Sequence, residues 1–491
     1  MPTPAASLIT VLDGVVLGLV LLASLHSLHR LWLLAAVWWQ GRRPAPPTPT
    51  ALGSELAFVT VQVPLFNERD VAARVVAACA ALAWPRDRFE VQVLDDSTDD
   101  TRLIVDAAAA EARARGVSVS VLRRAHRAGF KAGALAEGVR EARGELLAIF
   151  DADFLPDRDF LRRVVPHFAD AQVGMVQARW GHLNADESVL TQAQATLLDG
   201  HFKLDHAARA ALACWFNFNG TAGVWRRACI EAAGGWQGDT LTEDLDLSYR
   251  AQLAGWRFAY AADIVVPAEV PSTMAAFRAQ QRRWAIGSIQ TLRKLAGRVL
   301  RAPVSLRVRA EALAHLGANL SWLPALGLAI CLPWAVLAGG RGADGVVAGL
   351  SLALCTVPNV LFYRVAAGGW AGVPGAVLLA LGLVSSQARA TLTGLRGTRE
   401  AFARTPKRGA SEGSSYVAAL PALGWAELFL SLPHFAAAVR AGERGEWGTV
   451  PFLLMFGTAL LWVATGWRGQ PLRASSREVE VVEPNALTGE P

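Results

Sequence analysis

Apolar residues are distributed very unevenly along this chain of 491 residues, and their distribution limits the folds that it can adopt. A long apolar stretch extends from about residue 7 to residue 39, and further apolar runs follow residue 310. The region between about residues 55 and 300 has the composition of an ordinary soluble domain. A single helix over residues 7–39 would be about 50 Å long, more than the roughly 30 Å hydrocarbon core of a bilayer requires. The pattern therefore predicts a globular domain inserted among membrane helices.

The N-terminal part is predicted to be a membrane anchor. Residues 1–43 form a transmembrane helix, and Arg42–Arg43 places the end that precedes the globular domain in the cytoplasm. Residues 44–54 form a stiff proline-rich linker. Because no basic region precedes the apolar run, an anchor is expected rather than a cleaved signal peptide.

Residues 301–473 are predicted to contain the remaining membrane helices. Apolar runs lie at about 313–338, 344–366, 373–391, 416–438 and 449–467. The run at 373–391 is the most polar and is predicted to lie in the membrane plane as an interfacial helix. Five spanning helices then remain, with the basic loop 392–415 and a disordered tail 474–491 in the cytoplasm. An arrangement with six spanning helices stays open. The membrane is predicted to be a bacterial inner (plasma) membrane.

Residues 55–300 alternate between strand and helix patterns. Predicted strands lie at 58–63, 91–94, 118–122 and 146–150, and predicted helices at 71–82, 102–115 and 131–143. This alternation is typical of an α/β domain with a doubly wound, mostly parallel sheet, in which ligands bind beyond the carboxyl ends of the strands. Asp95–Asp96 and Asp151 lie at two of those ends.

Charge and cysteine content argue against other classes of protein. The formal net charge is +6, which in a membrane protein indicates positive-inside loops. The sequence shows no basic helix with interleaved aromatic residues, so nucleic-acid binding is not expected. The five cysteines form neither CxxC pairs nor a disulfide framework, so free thiols in a reducing compartment are expected.

Asp151-Ala152-Asp153 directly follows an apolar strand. Two carboxylates one residue apart on a tight turn can hold Mg²⁺ or Mn²⁺, and the metal can bridge diphosphate oxygens and stabilise a departing nucleoside diphosphate. A solvated turn would carry the same residues. The location at a strand end favours a metal site.

Two further side chains suit the binding of a nucleoside diphosphate. The Asp95 carboxylate can accept hydrogen bonds from base N–H or ribose hydroxyl groups, and Lys131 can meet a phosphate near a helix start. An Asx turn at Asp95 and a solvated lysine are the alternatives.

Thr242-Glu243-Asp244 begins a predicted helix. Asp244 is interpreted as a general base that deprotonates an acceptor hydroxyl during its attack on an anomeric carbon, and one carboxylate suffices for direct inversion. Thr240 and Glu243 also have the spacing of a helix capping box, which is the structural alternative.

Gln280, Arg283 and Trp284 share one helical face through their i, i+3 and i+4 spacing. The indole can stack on a pyranose ring, and the other two side chains can bind hydroxyls and pyrophosphate. The alternative is an interfacial helix with an anchoring tryptophan and snorkelling arginines.

Taken in order, these blocks resemble the processive membrane glycosyltransferases of family 2, the group of the cellulose and hyaluronan synthases. The resemblance is greatest to the plant cellulose synthase-like mannan and glucan synthases and their bacterial relatives, and it extends over about residues 55–300. It includes the segments Gln62–Arg69, Gln92–Asp99, Gly129–Leu135, Ala148–Phe154, Val176–Trp180, Phe218–Arg226 and Gln280–Trp284, the last with the pattern QxxRW.

The resemblance implies a GT-A fold, a metal-dependent reaction that inverts the anomeric centre, and a role for each matching residue. Nucleotide binding is expected from Asn67, Glu68, Asp95, Lys131 and Asp151, and metal binding from Asp151 and Asp153. Asp244 is the expected catalytic base. Acceptor and diphosphate binding is expected from Asn219, Gly220, Thr221, Glu243, Gln280, Arg283 and Trp284.

The basic loop also contains a short segment that resembles a gate. Phe402, Thr405 and Lys407 match a segment that closes over bound nucleotide in cellulose synthase. A positive-inside loop is the alternative interpretation of these residues.

The expected function is the transfer of a hexose from GDP-mannose or UDP-glucose to a growing β-1,4-linked polysaccharide at the membrane. Transfer of one sugar to a lipid or lipid-linked acceptor is the alternative. The expected partners are the donor, one of these acceptors and the lipid bilayer, without nucleic acid. Homo-oligomer formation and a translocation channel within one chain stay open. A transporter with a degenerate nucleotide fold would release no nucleotide, and the retained carboxylates argue against it.

Overall fold

The computed structural model describes residues 4–40, 56–340, 345–397 and 424–466. Within these ranges the strands of one sheet are β1 Val59–Leu65, β2 Phe89–Asp95, β3 Val119–Leu122, β4 Leu146–Ile149, β5 Val173–His182, β6 Gly223–Arg226 and β7 Arg257–Ala268. The α-helices are α1 Pro4–Gln40, α2 Ala72–Ala80, α3 Thr101–Ala114, α4 Phe130–Glu141, α5 Phe160–Val164, α6 Val189–Asp199, α7 Ala207–Ala211, α8 Arg227–Ala232, α9 Glu243–Leu253, α10 Met274–Arg301, α11 Leu306–Leu316, α12 Trp322–Leu337, α13 Gly345–Ala367, α14 Val373–Gly382, α15 Val384–Arg396, α16 Trp425–Glu443 and α17 Val450–Thr465.

The sheet is mixed but mostly parallel, as predicted. Its strand order is β3-β2-β1-β4-β6-β5-β7. The strands β1 to β4 are parallel, β5 is parallel to β7, and β6 is antiparallel to both of its neighbours. In the register of β1 and β2, Leu65 lies opposite Asp95, so the carboxyl ends of both strands reach the same edge of the sheet.

Alternating side chains of the strands pack into hydrophobic cores on both faces of the sheet. On one face, Val61 packs with Val75 of α2 and Val105 of α3. On the other face, Leu147 packs with Leu135 of α4. Because helices cover both faces, the polar groups available to a ligand lie at the ends of the strands.

The predicted elements of residues 55–150 are all observed, and their ends differ by a few residues. The first predicted strand stops at Val63, before Pro64, whereas β1 includes Pro64 and ends at Leu65. β4 ends at Ile149, so Asp151 lies in the loop that follows it, after Phe150.

A π-helical segment, Gly200–His206, joins α6 to α7 and has no counterpart in the sequence prediction. Such widened turns leave backbone groups without regular partners and often lie at functional sites. Here the Tyr260 hydroxyl donates to the Phe202 carbonyl oxygen at 2.7 Å. The segment and α7 both contact α1, so they lie between the sheet and the first membrane helix.

Three of the described helical stretches are long and apolar enough to cross a membrane: Ile9–Trp39, Ala318–Leu337 and Gly349–Ala367. Helices α14 and α15 meet at 53° and would make a fourth span if they form one bent helix. The region predicted as one interfacial helix is therefore two helices, broken at Leu383. α17 is apolar but short, and α16 buries Glu427 among its side chains.

The described residues thus provide fewer spanning helices than the five that the sequence predicts, and the five-span arrangement stays a prediction. α15 continues to Arg396, so the predicted loop 392–415 begins within a helix. α10 ends at Arg301, one residue beyond the predicted end of the α/β domain. The predicted linker, the rest of the loop and the tail lie outside the described residues.

Buried ion pairs connect α10 both to the α/β domain and to the membrane helices. Asp246 of α9 is fully buried and pairs with Arg250 at 2.8 Å and with Lys294 of α10 at 2.9 Å. Arg278, near the start of α10, pairs with the buried Glu427 of α16 at 3.0 Å. Loss of one partner would leave an uncompensated buried charge, so these contacts hold α10 in place.

The substitution Asp246→Asn should lower the free energy of unfolding by about 3 kcal/mol, because the buried Arg250 would keep its charge without its carboxylate partner. Thermal unfolding of the purified protein in detergent measures the change as a lower Tm. Glu443→Gln is the control, since Glu443 pairs with Arg440 on an exposed surface where an ion pair contributes little. Equal Tm values for the two variants would contradict the assignment.

Candidate active site

A cavity of about 190 Å³, here called the strand-end cavity, lies at the carboxyl ends of β1, β2 and β4. Segments that are far apart in the sequence meet there. Most of the predicted site residues line it: Glu68, Lys131, Asp151, Asp153, Asn219, Gly220, Glu243, Asp244, Gln280, Arg283 and Trp284.

Asp151 is held by groups from two other segments of the chain. Its backbone N–H donates to Oγ1 of the buried Thr221 at 2.9 Å. Lys131 contacts the Asp151 carboxylate and also donates to the Gly220 carbonyl oxygen at 2.9 Å. Thr221 does not line the cavity but supports the backbone of Asp151, and its predicted acceptor-binding role stays a prediction.

Asp151 and Asp153 fit the predicted site for a divalent cation. Both line the cavity, and Asp151 already contacts a positive charge, the Lys131 ammonium. Among the described residues, no cluster of three or more His, Cys, Asp or Glu side chains could hold a metal. The pair therefore suits a cation that takes its remaining oxygen ligands from a diphosphate and from water, as Mg²⁺ commonly does.

Glu243 and Asp244 begin α9 at the floor of this cavity, where burial disfavours their charged forms. Burial and the neighbouring Glu243 carboxylate raise the pKa of Asp244 to about 7. Burial also raises the pKa of Glu243, against the opposing charge of Lys131. A carboxylate with a pKa near the working pH is well suited to accept a proton. The Asp244 carboxylate accepts a hydrogen bond from the Leu245 N–H at 2.8 Å, which orients it.

The capping-box interpretation of this segment is wrong. The residue that precedes the first turn of α9 is Thr242, and no side chain caps the helix start. Thr242 instead contacts α10, where Gly287 leaves no room for a larger residue: a Cβ there would lie 2.5 Å from the Thr242 side chain. The glycine therefore allows α10 to pack directly on the segment that carries Glu243 and Asp244.

Gly220 also occupies a position that leaves no room for a side chain. Its φ of +83° is one that favours glycine, and an added Cβ would lie 2.9 Å from Oδ2 of Asp244. The loop after Phe218 therefore brings backbone, rather than a side chain, against the predicted base.

α10 contributes Gln280, Arg283 and Trp284, and all three line the strand-end cavity, as their shared helical face predicts. Burial lowers the pKa of Arg283, while the charges of Glu243 and Asp151 oppose that change. The guanidinium therefore faces the acidic groups across the cavity and, with Lys131, offsets their charge.

The two aspartates at the end of β2 have different environments. Asp95 is 1% exposed and accepts hydrogen bonds from the Ser97 N–H at 3.0 Å and from Arg123 Nε at 2.9 Å. Asp96 pairs with Arg124 and lines the cavity, whereas Asp95 does not. The base-binding role of Asp95 stays a prediction, and Asp96 is the carboxylate that a ligand in this cavity would meet.

Asn67 ties the ends of β1 and β2 together. Its backbone N–H donates to Ser97 Oγ at 2.9 Å, and its side-chain oxygen accepts from the Thr98 N–H at 2.8 Å. Asn67 does not line the cavity, although the adjacent Glu68 does. Its predicted nucleotide-binding role also stays a prediction.

Sequence reasoning missed Arg127 and Trp180, which both line the strand-end cavity. The guanidinium of Arg127 lies 3.4 Å from the centroid of the Phe66 ring. The basic run that contains Arg127 follows β3, which is the neighbour of β2, and β2 ends at the acidic pair Asp95–Asp96. The opposite charges of these two segments were the available signal. Trp180 packs against Phe154 and Phe202, at centroid distances of 5.0 and 5.1 Å; it ends the segment Val176–Trp180 of the family resemblance, which was the available signal.

A second cavity of about 480 Å³, here called the membrane-side cavity, continues from this site among the membrane helices. Its lining includes Ser27 of α1, Trp322 of α12, Asn359 of α13 and Leu381 of α14. Residues that line both cavities are Trp180, Leu198, Asn219, Thr242, Asp244, Gln280 and Trp284. Asp244 therefore lies where a polar cavity at the strand ends meets a cavity that extends between membrane helices.

The structure does not describe the predicted gating segment. Phe402, Thr405 and Lys407 lie outside the described residues, so their role stays a prediction.

The chain is similar to known glycosyltransferases in the region of this site. Residues 57–287 match the model of glycosyltransferase-like family 2. The chain is 44% identical over 266 residues to glucomannan 4-beta-mannosyltransferase 1 of Oryza sativa subsp. japonica, and 44% identical over 253 residues to glucomannan 4-beta-mannosyltransferase 2 of Arabidopsis thaliana. These matches cover 52% and 50% of this chain and 51% and 47% of the relatives, so the chain spans about half the length of the plant proteins that it matches.

A solved structure resembles a larger part of the chain. The mannosyltransferase PcManGT of Pyrobaculum calidifontis, in complex with GDP-Man and Mn²⁺, has a TM-score of 0.53 and 25% sequence identity. The similarity covers 75% of this chain and 99% of that protein, which is more of this chain than the α/β domain alone.

Asp244→Asn should stabilise the protein at pH 8 in the absence of ligands. The pKa of Asp244 rises from 3.8 to about 7 on folding, so its contribution to stability is fully present below pH 4 and is lost as the pH rises through 7. Asparagine removes this loss. The Tm difference between variant and wild type should therefore be near zero at pH 4 and positive at pH 8. Asp157→Asn, at an exposed position, is the control, and a Tm difference independent of pH would refute the argument.

Proposed function

Residues 57–287 are a family 2 glycosyltransferase domain with the GT-A fold, and on that premise we propose that this chain is an inverting, membrane-bound hexosyltransferase. One observation carries the proposal. Asp244 lies in the wall shared by the strand-end cavity and the membrane-side cavity. A nucleotide-sugar in the first cavity and an acceptor in the second meet at this carboxylate.

The proposed reaction is a single displacement. An acceptor hydroxyl attacks the anomeric carbon of the donor, the bond from that carbon to the diphosphate oxygen breaks, and the nucleoside diphosphate leaves with the electron pair. The hydroxyl proton passes to the Asp244 carboxylate. Because only one displacement occurs, the anomeric centre is inverted.

Basic groups on two sides of the site orient the diphosphate. Lys131, at the start of α4, and Arg283, on α10, present positive charge to the cavity. Asp151 and Asp153 would hold Mg²⁺ or Mn²⁺, and the bound cation would supply Lewis-acid stabilisation of the leaving diphosphate. Since these charges are held in place before the reaction, they stabilise the charge that develops on the leaving group.

The proposed donor is GDP-mannose, and the proposed product linkage is β-1,4. The names of the plant relatives and the GDP-Man in the archaeal structure support this choice over UDP-glucose. The acceptor sugar stacks on Trp284 and meets Gln280 and Asn219, which all line both cavities. The catalytic domain is proposed to face the cytoplasm, in agreement with the basic residues predicted on that side.

A donor comparison tests this function directly. Purified protein with Mn²⁺ should release nucleoside diphosphate fastest from GDP-mannose among GDP-mannose, GDP-glucose, UDP-glucose and UDP-mannose. Asp244→Asn should lower kcat by about 10³-fold, because the general base is lost, while donor binding persists. The exposed variant Asp157→Asn should retain wild-type activity. Full activity of Asp244→Asn in folded protein would contradict the assignment of the base.

The pH dependence provides an independent readout of the same group. Wild-type kcat/KM should increase with pH through an ionisation near 7, because only the deprotonated Asp244 accepts the proton and its pKa is about 7. A constant rate between pH 5.5 and 8 would exclude this carboxylate as the base.

Gly220→Ala should reduce kcat at least tenfold, because its Cβ would displace the Asp244 carboxylate. Gly235→Ala is a matched control. Gly235 has a φ of +71°, so alanine meets the same backbone strain, but an added Cβ has no atom within 4 Å. Equal loss of activity in both variants would indicate backbone strain rather than displacement of the base.

A further inference from the structure

The membrane-side cavity has a basic part next to the α/β domain. His26, His29 and Arg30 of α1, at positions i, i+3 and i+4, line it on one helical face. Arg209 of α7 lines the same part.

The guanidinium of Arg30 has neutral partners. It donates to Asn359 Oδ1 at 2.9 Å and to the Tyr363 hydroxyl at 2.7 Å, and it lies over two aromatic rings. Asp205, a carboxylate in the same lining, lies 3.9 Å from His201 and attracts Arg30 and Arg209 electrostatically without forming an ion pair with either. In the part of the chain that the structure describes, no carboxylate forms an ion pair with Arg30. An anionic ligand would therefore offset the charge of this arginine.

The second guanidinium of the cavity is also incompletely satisfied. Arg209 is 4% exposed, and its Nε donates to Glu311 at 2.8 Å, but its Nη1 is buried without a hydrogen-bond partner among the described residues. Glu311 also contacts His29 at 2.8 Å, so one carboxylate serves two basic groups. Burial lowers the pKa of His201 and His315, so both are neutral hydrogen-bonding groups near pH 7.

The position of Arg30 along α1 corresponds to the lipid headgroup level. The stretch Ile9–Trp39 has 31 residues and is about 46 Å long, which exceeds the hydrocarbon core of about 30 Å. With the hydrocarbon core beginning at Ile9, Arg30, which precedes Trp39 by about 14 Å of helix, falls within the excess at the end next to the α/β domain. Phosphate groups of membrane lipids occupy this level.

The far part of the cavity is apolar. Leu328 of α12 and Leu352 of α13 line it, and they pack with Val16, Val20 and Leu332 in a buried cluster. Such a lining offers no hydrogen bonds to the hydroxyl groups of a sugar chain, but it accommodates hydrocarbon. The two parts together suit an amphiphile.

We propose that the acceptor is a lipid-linked saccharide whose phosphate or diphosphate group binds Arg30 and Arg209. The terminal sugar hydroxyl lies at Asp244, and the hydrocarbon chain extends towards Leu328 and Leu352. Guanidinium groups bind phosphate through charge-assisted, bidentate hydrogen bonds. This inference rests on the proposed hexosyl transfer and names its acceptor class. The phosphate takes no part in bond making, so the reaction is the displacement already described.

Three acceptors with the same sugar separate the contributions of charge and lipid: free β-1,4-mannobiose, octyl β-1,4-mannobioside and polyprenyl diphosphate-linked β-1,4-mannobiose. With GDP-mannose as donor, the diphosphate-linked acceptor should have a KM at least tenfold below that of the octyl glycoside. Arg30→Gln should raise that KM about tenfold with little change in kcat, and Arg30→Lys should restore part of it. Arg364→Gln, on α13 but outside the cavity lining, is the matched control.

Specific outcomes would overturn the proposal. These are equal KM values for the diphosphate-linked and octyl acceptors, an Arg30→Gln effect of equal size on both, or a long polymer made from free mannobiose alone. Excess phosphatidylglycerol distinguishes another source of phosphate: if it competes as well as the diphosphate-linked acceptor, the site binds phospholipid headgroups. If no donor is turned over, the proposed function fails. Native mass spectrometry of the diphosphate-linked acceptor with wild type and Arg30→Gln then still tests the phosphate subsite, and equal binding would refute it.

Discussion

Crowding of carboxylates in one cavity is the constraint on which the rest of the structure depends. Asp151, Glu243 and Asp244 line the same cavity, and burial raises the pKa of the last two. Their repulsion is offset by Lys131 and by Arg283, which arrive from different helices. The elements that carry these groups must therefore be held rigidly, since a small displacement of Lys131 or Arg283 would leave a buried negative charge uncompensated.

The position of α10 follows from this requirement and links the catalytic domain to the membrane helices. Gly287 lets the helix approach Thr242, and Lys294 pairs with the buried Asp246. The same helix pairs with Glu427 of α16 through Arg278. The candidate active site therefore packs directly on the apolar helices, and the wall that the two cavities share opens into the membrane-side cavity between those helices.

Much of the α/β domain was predictable because its determinants are local. Apolar strands, alanine-rich helices and the acidic residues at strand ends follow from short-range patterns, and parallel strands bring such ends to one edge. The face shared by Gln280, Arg283 and Trp284 follows from helical periodicity. The capping-box interpretation of Thr240 and Glu243 was wrong because that spacing is common in sequences. Packing of Thr242 on α10 determines how α9 begins.

The sequence by itself determined the α/β alternation, the apolar helices on either side and the acidic and aromatic blocks of the site, since each depends on residues near one another in the chain. Only the tertiary structure decided that Asp96 rather than Asp95 lines the cavity, that Thr221 supports Asp151, and that α1 brings Arg30 into a cavity reached from Asp244. These outcomes depend on contacts between segments up to several hundred residues apart. Burial and electrostatic compensation are set by all the neighbours of a group together, and no local pattern records them.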